Sequence, residues 1–253
     1  MLTNKKVILI TVLTTILSIS IFAQDDTIKQ DFHISANLKY KDFNFYMKFQ
    51  SICRVSAEVT FIEKTTIQDR TMENECVLLF DNNNCKHRRY NLLRKQDSLQ
   101  YICDGYLLYT ISHKTKELTI ESAEKGIELM KNNPFVYFYS YPGYLLYPNK
   151  KKNIDMLVNK EFVVLNYFNS KASILYNNGY YSSTFRTCDL ALSEQKCLLK
   201  NENGTTNLYD VKLISLENEN VNNFTEKDFD ASQWYDDDYT IVDKRSTVVY
   251  SDL

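Results

Sequence analysis

The chain has 253 residues, with 30 basic and 32 acidic side chains and a formal net charge of −2. That balance gives no electrostatic case for nucleic acid as a partner. Glycine and proline number only 5 and 3, while tyrosine and phenylalanine reach 19 and 14. Collagen-like, low-complexity and linker-rich chains are excluded, and the aromatic load suits a pleated, half-buried surface or a groove with apolar walls and polar tips.

The first element is a leader. Lys5 and Lys6 precede an apolar run over residues 7–22, which closes on Ala23 and Gln24. A basic start, a short apolar core and a small residue before a polar one form a secretory signal peptide. The run is shorter than the roughly 20 residues a membrane span needs, and no basic flank follows it. No cysteine follows Ala23, so lipidation of the new N-terminus is not expected. The expected layout is a signal peptide over 1–23 and a single β-rich domain over 24–253, exported to the periplasm or otherwise outside the cell.

Residues 25–52 carry apolar groups at partly helical spacing, Phe43, Phe45 and Phe49 among them, and read as a helix. From Arg54 the period becomes two: Val55, Ala57, Val59 and Phe61 alternate with polar neighbours, as in a half-buried strand. Residues 76–80 form a short apolar run that ends at Asp81 and three asparagines, a turn signal. Residues 90–93 and 99–103 read as the next two strands. Asp104-Gly105 is a two-residue hairpin turn, with the glycine expected at positive φ. Strands over 106–111 and 118–120 follow, joined by the polar link 113–116.

Ser122 caps a short helix over 122–130 that closes before Pro134. The aromatic run 135–139 comes next, and Pro142 and Pro148 break regular structure after it. Strands resume at 162–165 and 172–176. A hairpin at Asn203-Gly204 joins 197–199 to 208–216, where Tyr209, Val211 and Leu213 share one side. The last strand covers 239–242. The count is about ten antiparallel strands.

Six cysteines follow the leader: Cys53, Cys76, Cys85, Cys103, Cys188 and Cys197. In an oxidising compartment an even count permits a disulfide framework. Cys76/Cys85 and Cys188/Cys197 are each nine residues apart, as across a short hairpin, so at least one bond is expected there. The alternative is a set of small buried thiols. The spacing is not a zinc pattern. No nucleophile elbow, zinc-protease motif or phosphate loop occurs, so no catalytic residue, metal ligand or cofactor is assigned and an enzyme is not expected. Asp236, Asp237 and Asp238 are either calcium-binding carboxylates or a polar loop. The clusters at 86–89 and 150–152 read as solvated loops or strand edges. Cys103 and His113 are set aside as a catalytic pair, because Cys103 lies in an apolar strand pattern. Asn203 and Asn223 stand in glycosylation-acceptor triplets.

The stretch Cys76-Val-Leu-Leu-Phe80, then Tyr101-Ile-Cys-Asp104-Gly105-Tyr-Leu-Leu-Tyr109, then Lys114-Thr-Lys-Glu-Leu118 resembles the LolA-like outer-membrane lipoprotein carriers. Phe229-Asp-Ala-Ser and Tyr239-Thr-Ile-Val-Asp243-Lys-Arg245 are similar to that family's closing pattern. Where the family's strand carries tryptophan after Asp-Gly, this chain has Leu107, Leu108 and Tyr109. The resemblance implies an α+β fold, mostly β: an open, curved antiparallel sheet, a half-barrel, wrapped over one or more helices. It implies a carrier of an acyl chain, a lipoprotein or another apolar ligand, without chemistry, and a membrane-associated acceptor. Where the helix leaves the concave face unfilled, Tyr106, Tyr109, Phe135, Tyr137 and Phe138 are expected to line the groove. The alternative is a secreted adhesion or assembly module that uses an aromatic sheet face. A dry cavity favours the first, a flat exposed aromatic patch the second.

Overall fold

The computed structural model describes residues 43, 54–84, 87–126, 133–140, 154–169, 179–200, 205–220 and 224–245. The described elements all belong to His33–Leu253. The leader, most of the expected helix over 25–52, the strand at 172–176, the Asn203-Gly204 tip and Asn223 lie outside the described residues. Phe43 alone represents that helix; it is helical and buried.

Twelve strands form one sheet: β1 (Ser56–Ile67), β2 (Arg70–Asp81), β3 (Arg89–Arg94), β4 (Leu99–Cys103), β5 (Leu107–Ser112), β6 (Glu117–Ser122), β7 (Ile154–Val158), β8 (Phe162–Asn169), β9 (Gly179–Arg186), β10 (Leu192–Lys200), β11 (Thr206–Glu217) and β12 (Thr240–Asp243). Their order is β12-β6-β5-β4-β3-β2-β1-β11-β10-β9-β8-β7, so the sheet is open and not a closed barrel. Two antiparallel meanders, β1–β6 and β7–β11, join where β1 pairs with β11. The alternation of Ala57, Val59 and Phe61 puts all three in the core, as their spacing requires. Asp104-Gly105 makes the β4–β5 turn. Gly105 sits at φ +99°, and Asp104 Oδ1 accepts the N–H groups of Tyr106 and Leu107 at 2.8 Å each.

The structure departs from the sequence reading in four places. The aromatic run after Pro134 is a helix, α1 (Pro134–Ser140). Proline suits the first helical position, and Asn133 Oδ1 accepts the N–H of Val136 at 3.1 Å. Residues 123–126 are helical as expected, and 127–132 lie outside the described residues. The strands β7 and β9 match none of the strands expected from the sequence. β12 pairs with β6 in parallel, unlike every other pairing in the sheet.

The expected disulfides are the fourth departure. Cys76, Cys103, Cys188 and Cys197 are free thiols, and Cys85 lies outside the described residues. The reason is register. The β9–β10 turn is asymmetric about the two cysteines, so Cys188 stands in the exposed turn while Cys197 faces Tyr181 and Tyr209. Cys76 likewise faces Phe61 and Arg94.

The main core lies on one face of the sheet, around α1. Phe80 on β2 and Phe185 on β9 are four strand spacings apart, about 19 Å in a flat sheet. Three ring-to-ring steps bridge them: Phe80 to Tyr139 at 6.2 Å, Tyr139 to Phe138 at 5.1 Å and Phe138 to Phe185 at 5.8 Å. The inner face is therefore concave toward α1. On the outer face a second, smaller core joins Ile102, Ile111, Leu118 and Ala231, with Tyr109, Ile120, Tyr235 and Tyr239 packed on it.

Candidate functional site

The concave face is read most simply as cross-strand rows. Beneath α1 the rows are apolar. Phe61, Cys76, Val163, Phe185 and Leu192 are buried there, and Phe135 rests on Phe61 at 5.0 Å. One step toward the hairpin tips of β1–β2 and β10–β11 the row changes character. Leu165, Ser183, Gln195, Val211, Glu63 and Asn74 stand directly opposite one another across six strands, and all six are buried. The next row holds Tyr167, Tyr181, Cys197, Tyr209 and Thr65. There the Tyr167 and Tyr181 rings stack in parallel, 4.9 Å apart.

The polar row is tied together by Glu63. Its carboxylate accepts from Asn133 Nδ2 at 2.8 Å and from the Thr65 hydroxyl at 3.2 Å, and pairs with Arg94 at 3.4 Å. Arg94 also pairs with Asp97 at 2.7 Å. Burial by itself would lower the Arg94 pKa, but the charges of Glu63 and Asp97 raise it on balance. A buried carboxylate of this kind persists only where partners replace its water. Asn133 uses both ends of its amide, one to cap α1 and one to hold Glu63. Among the described residues, Arg94 Nε and Gln195 Oε1 in this region have no hydrogen-bond partner.

The thiols of the inner face are not nucleophiles in waiting. Burial pushes Cys76 up to about 12, with the Glu63 charge adding to it, and pushes Cys103 up to about 11. Cys197 is pushed up by burial alone. Thiols so placed stay protonated at ordinary pH. Among the described residues no three or more acidic, histidine or cysteine side chains converge to hold a metal. In the Asp236–Asp238 loop, Asp236 Oδ1 accepts the N–H of Asp238 at 3.1 Å.

The five groove residues expected from the sequence are not all brought together. Phe135, Tyr137 and Phe138 share α1 and are buried in the main core. Tyr109 belongs to the outer face: Leu108 takes the inner position, so its neighbour points the other way. Its hydroxyl lies 3.4 Å from Asp104 Oδ2, and burial first, then the Asp104 charge, raises its pKa to about 12. Tyr106 is 67% exposed at the turn and stacks on His87 at 4.3 Å. The polar row escaped sequence reasoning, although its signal was present. Glu63 and Thr65 hold the same parity as Phe61 on β1, and Gln195 the same parity as Cys197 on β10. A polar residue at a core-facing parity is the informative observation.

No family model matches the sequence. No curated relative matches it either. Among solved structures the chain is similar to an uncharacterized conserved protein from Thermus thermophilus, at 11% identity over 81% of this chain and 100% of that one, with a TM-score of 0.45. It is similar to a DUF1329 family protein from Desulfovibrio piger, at 10% identity over 76% and 96% of the two chains, TM-score 0.41. It is also similar to a LolA superfamily protein from Nitrosomonas europaea, at 6% identity over 78% and 99%, TM-score 0.38. The open, mostly antiparallel sheet packed on a helix is the architecture that the sequence pattern implied.

Proposed function

We propose that the protein is an exported binding protein, a carrier that holds an acyl chain, a lipoprotein or a similar apolar ligand on its concave face without transforming it. On this reading residues 1–23 are removed on export, residues 24–253 form the working domain, and a membrane-associated acceptor receives the ligand. The observation that carries it is the tyrosine row beyond α1. The described aromatic contacts of α1 run to Phe61, Phe80 and Phe185, on the far side of the Glu63 row from Tyr167, Tyr181 and Tyr209. Those rings combine apolar bodies with polar tips, the lining a ligand groove needs. Buried apolar surface contributes about 25 cal/mol per Å², so one long chain suffices for micromolar binding after ordering costs. The described thiols of that face are all pushed up by burial.

The test is displacement of a fluorescent fatty acid. The folded wild type is expected to bind saturably. Tyr209→Asp, at the half-buried member of that otherwise buried row, should weaken binding tenfold or more with its melting transition retained. Tyr109→Asp, on the outer face, should leave binding unchanged. Absence of saturable binding by the folded wild type rejects the carrier reading. Native mass spectrometry of protein purified from its own host gives the ligand's mass.

A second reading, the secreted adhesion or assembly module, is favoured by one observation. On the outer face Phe168, Tyr180, Leu198 and Leu208 stand opposite one another across β8 to β11, and Tyr180 is 61% exposed and both leucines 42%. A contiguous exposed apolar row is the mark of a binding surface. Loss of partner binding on Tyr180→Ser, with lipid binding intact, would favour this reading over the first.

A further inference from the structure

The Gln195–Ser183 pair carries an inference that rests on the carrier reading and names the ligand's chemistry. The two residues face each other across β9 and β10 on the concave face, at 1% and 0% exposure. Gln195 Nε2 donates to Ser183 Oγ at 3.1 Å. With Nε2 on the serine, Oε1 is the other branch of the amide. Oε1 is buried and has no hydrogen-bond partner among the described residues. The Ser183 hydroxyl accepts from Gln195, and its own proton meets no acceptor among the described residues. A buried acceptor without a donor is a standing penalty that folded proteins rarely keep without a use. The flanking members of the row, Leu165 and Val211, are apolar. The carboxylate of that row, Glu63, is two strands from Gln195 and is engaged by Arg94, Thr65 and Asn133.

We propose that this pair receives the hydroxyl group of a neutral amphiphile whose chain lies on the concave face. A single O–H meets both needs. Its proton goes to Gln195 Oε1, and its oxygen accepts from the Ser183 hydroxyl. An alkane or an ether brings no proton and leaves Oε1 unmet. A carboxylate brings only acceptors, and with no cation in contact with the pair among the described residues it is repelled by Oε1. The site therefore selects a neutral, hydroxyl-bearing amphiphile over an ether or an ionised acid of equal chain length.

The experiment is displacement of the neutral probe N-phenyl-1-naphthylamine from the full chain by 1-dodecanol, 1-methoxydodecane and, at mildly alkaline pH, dodecanoate. Dodecanol is expected to displace the probe at a concentration about tenfold below that of the ether, the worth of one buried neutral hydrogen bond. Gln195→Leu, which keeps the side-chain size, should erase that preference. Ser183→Ala should reduce the preference in the same direction and serves where Gln195→Leu does not fold. Equal displacement by alcohol and ether overturns the inference and leaves the carrier reading standing. So does dodecanoate outcompeting dodecanol. A preference that survives in Gln195→Leu removes this pair as its source. Failure of all three to displace the probe from folded wild type removes the inference and the carrier reading together.

Discussion

The outer face of the sheet has two halves with opposite fates. Over β4–β6 the outward residues Ile102, Ile111 and Leu118 are buried beneath the C-terminal segment, through Ala231, Tyr235 and Tyr239. Over β8–β11 the outward residues Phe168, Tyr180, Leu198 and Leu208 are bare. Strand periodicity is the same in both halves. What differs is a distant segment that lies along one half only, so alternation decides which residues leave the main core and not whether they reach water. The covered half is also sealed at its rim. Arg89 pairs with Glu226 at 2.6 Å and lies over the Phe229 ring at 4.9 Å, and Asn91 Nδ2 donates to the Asp228 carbonyl at 2.9 Å.

The largest effect that distinguishes the halves is expected at Ile111. Ile111→Ala removes buried volume under the C-terminal segment and should cost about 2–5 kcal/mol in urea unfolding. A cost near zero would mean that this segment does not seal the face.

The seam between segment and sheet gives a pH dependence with a fixed sign. Because Asn91 gives its N–H to a carbonyl, its Oδ1 accepts from Gln100 Nε2 at 2.8 Å. Gln100 Oε1 then faces His113 Nε2 at 3.0 Å, so that nitrogen carries the proton. Nδ1 is left to accept from the Tyr239 hydroxyl at 2.8 Å. A protonated ring has no lone pair for the tyrosine. Burial, with Lys116 adding to it, lowers the His113 pKa from 6.5. The stabilisation is therefore complete above the unfolded value and is lost as pH falls through the lowered folded value. The urea midpoint should drop between about pH 7.5 and about pH 5, and His113→Gln should flatten that drop. An unchanged slope in the variant places the dependence elsewhere.

The smallest effect belongs to the bare half. Leu198→Ser should shift stability by no more than about 0.5 kcal/mol, because its side chain already meets water. A loss as large as that of Ile111→Ala would show that something covers this row in solution.

Legibility from sequence followed the range of the interactions. β1 and the β4–β5 turn were readable because alternation through Phe61 and the Asp104-Gly105 pair are local signals. The arms of the β10–β11 hairpin were readable from the shared parity of Tyr209, Val211 and Leu213. The helical state of α1 was not. Phe135, Val136, Tyr137, Phe138 and Tyr139 are residues that favour strands, and burial of all five in the core outweighs that preference. Nor was the outer cover, since nothing near Ile111 announces Ala231. The polar row was half legible: once β1 and β10 are phased, Glu63 and Gln195 must face inward. Tyr109 was placed in the groove by its aromatic character, when strand parity sends it outward.

The pairing of β12 with β6 has a kinetic consequence. Thr240 meets Glu117 and Asp243 meets Ile120, so the last described strand seals the edge of a much earlier one. The other strands, save at β1–β11, lie beside a neighbour in sequence. While the chain is being made, β6 can carry Leu118 and Ile120 on an open ladder without its β12 partner until residues 240–243 arrive. Such an edge templates pairing with other chains, and a contact closed over so long a stretch forms late. The C-terminal residues thus act as a release condition: a molecule cut short before Thr240 keeps a sticky border for as long as it survives.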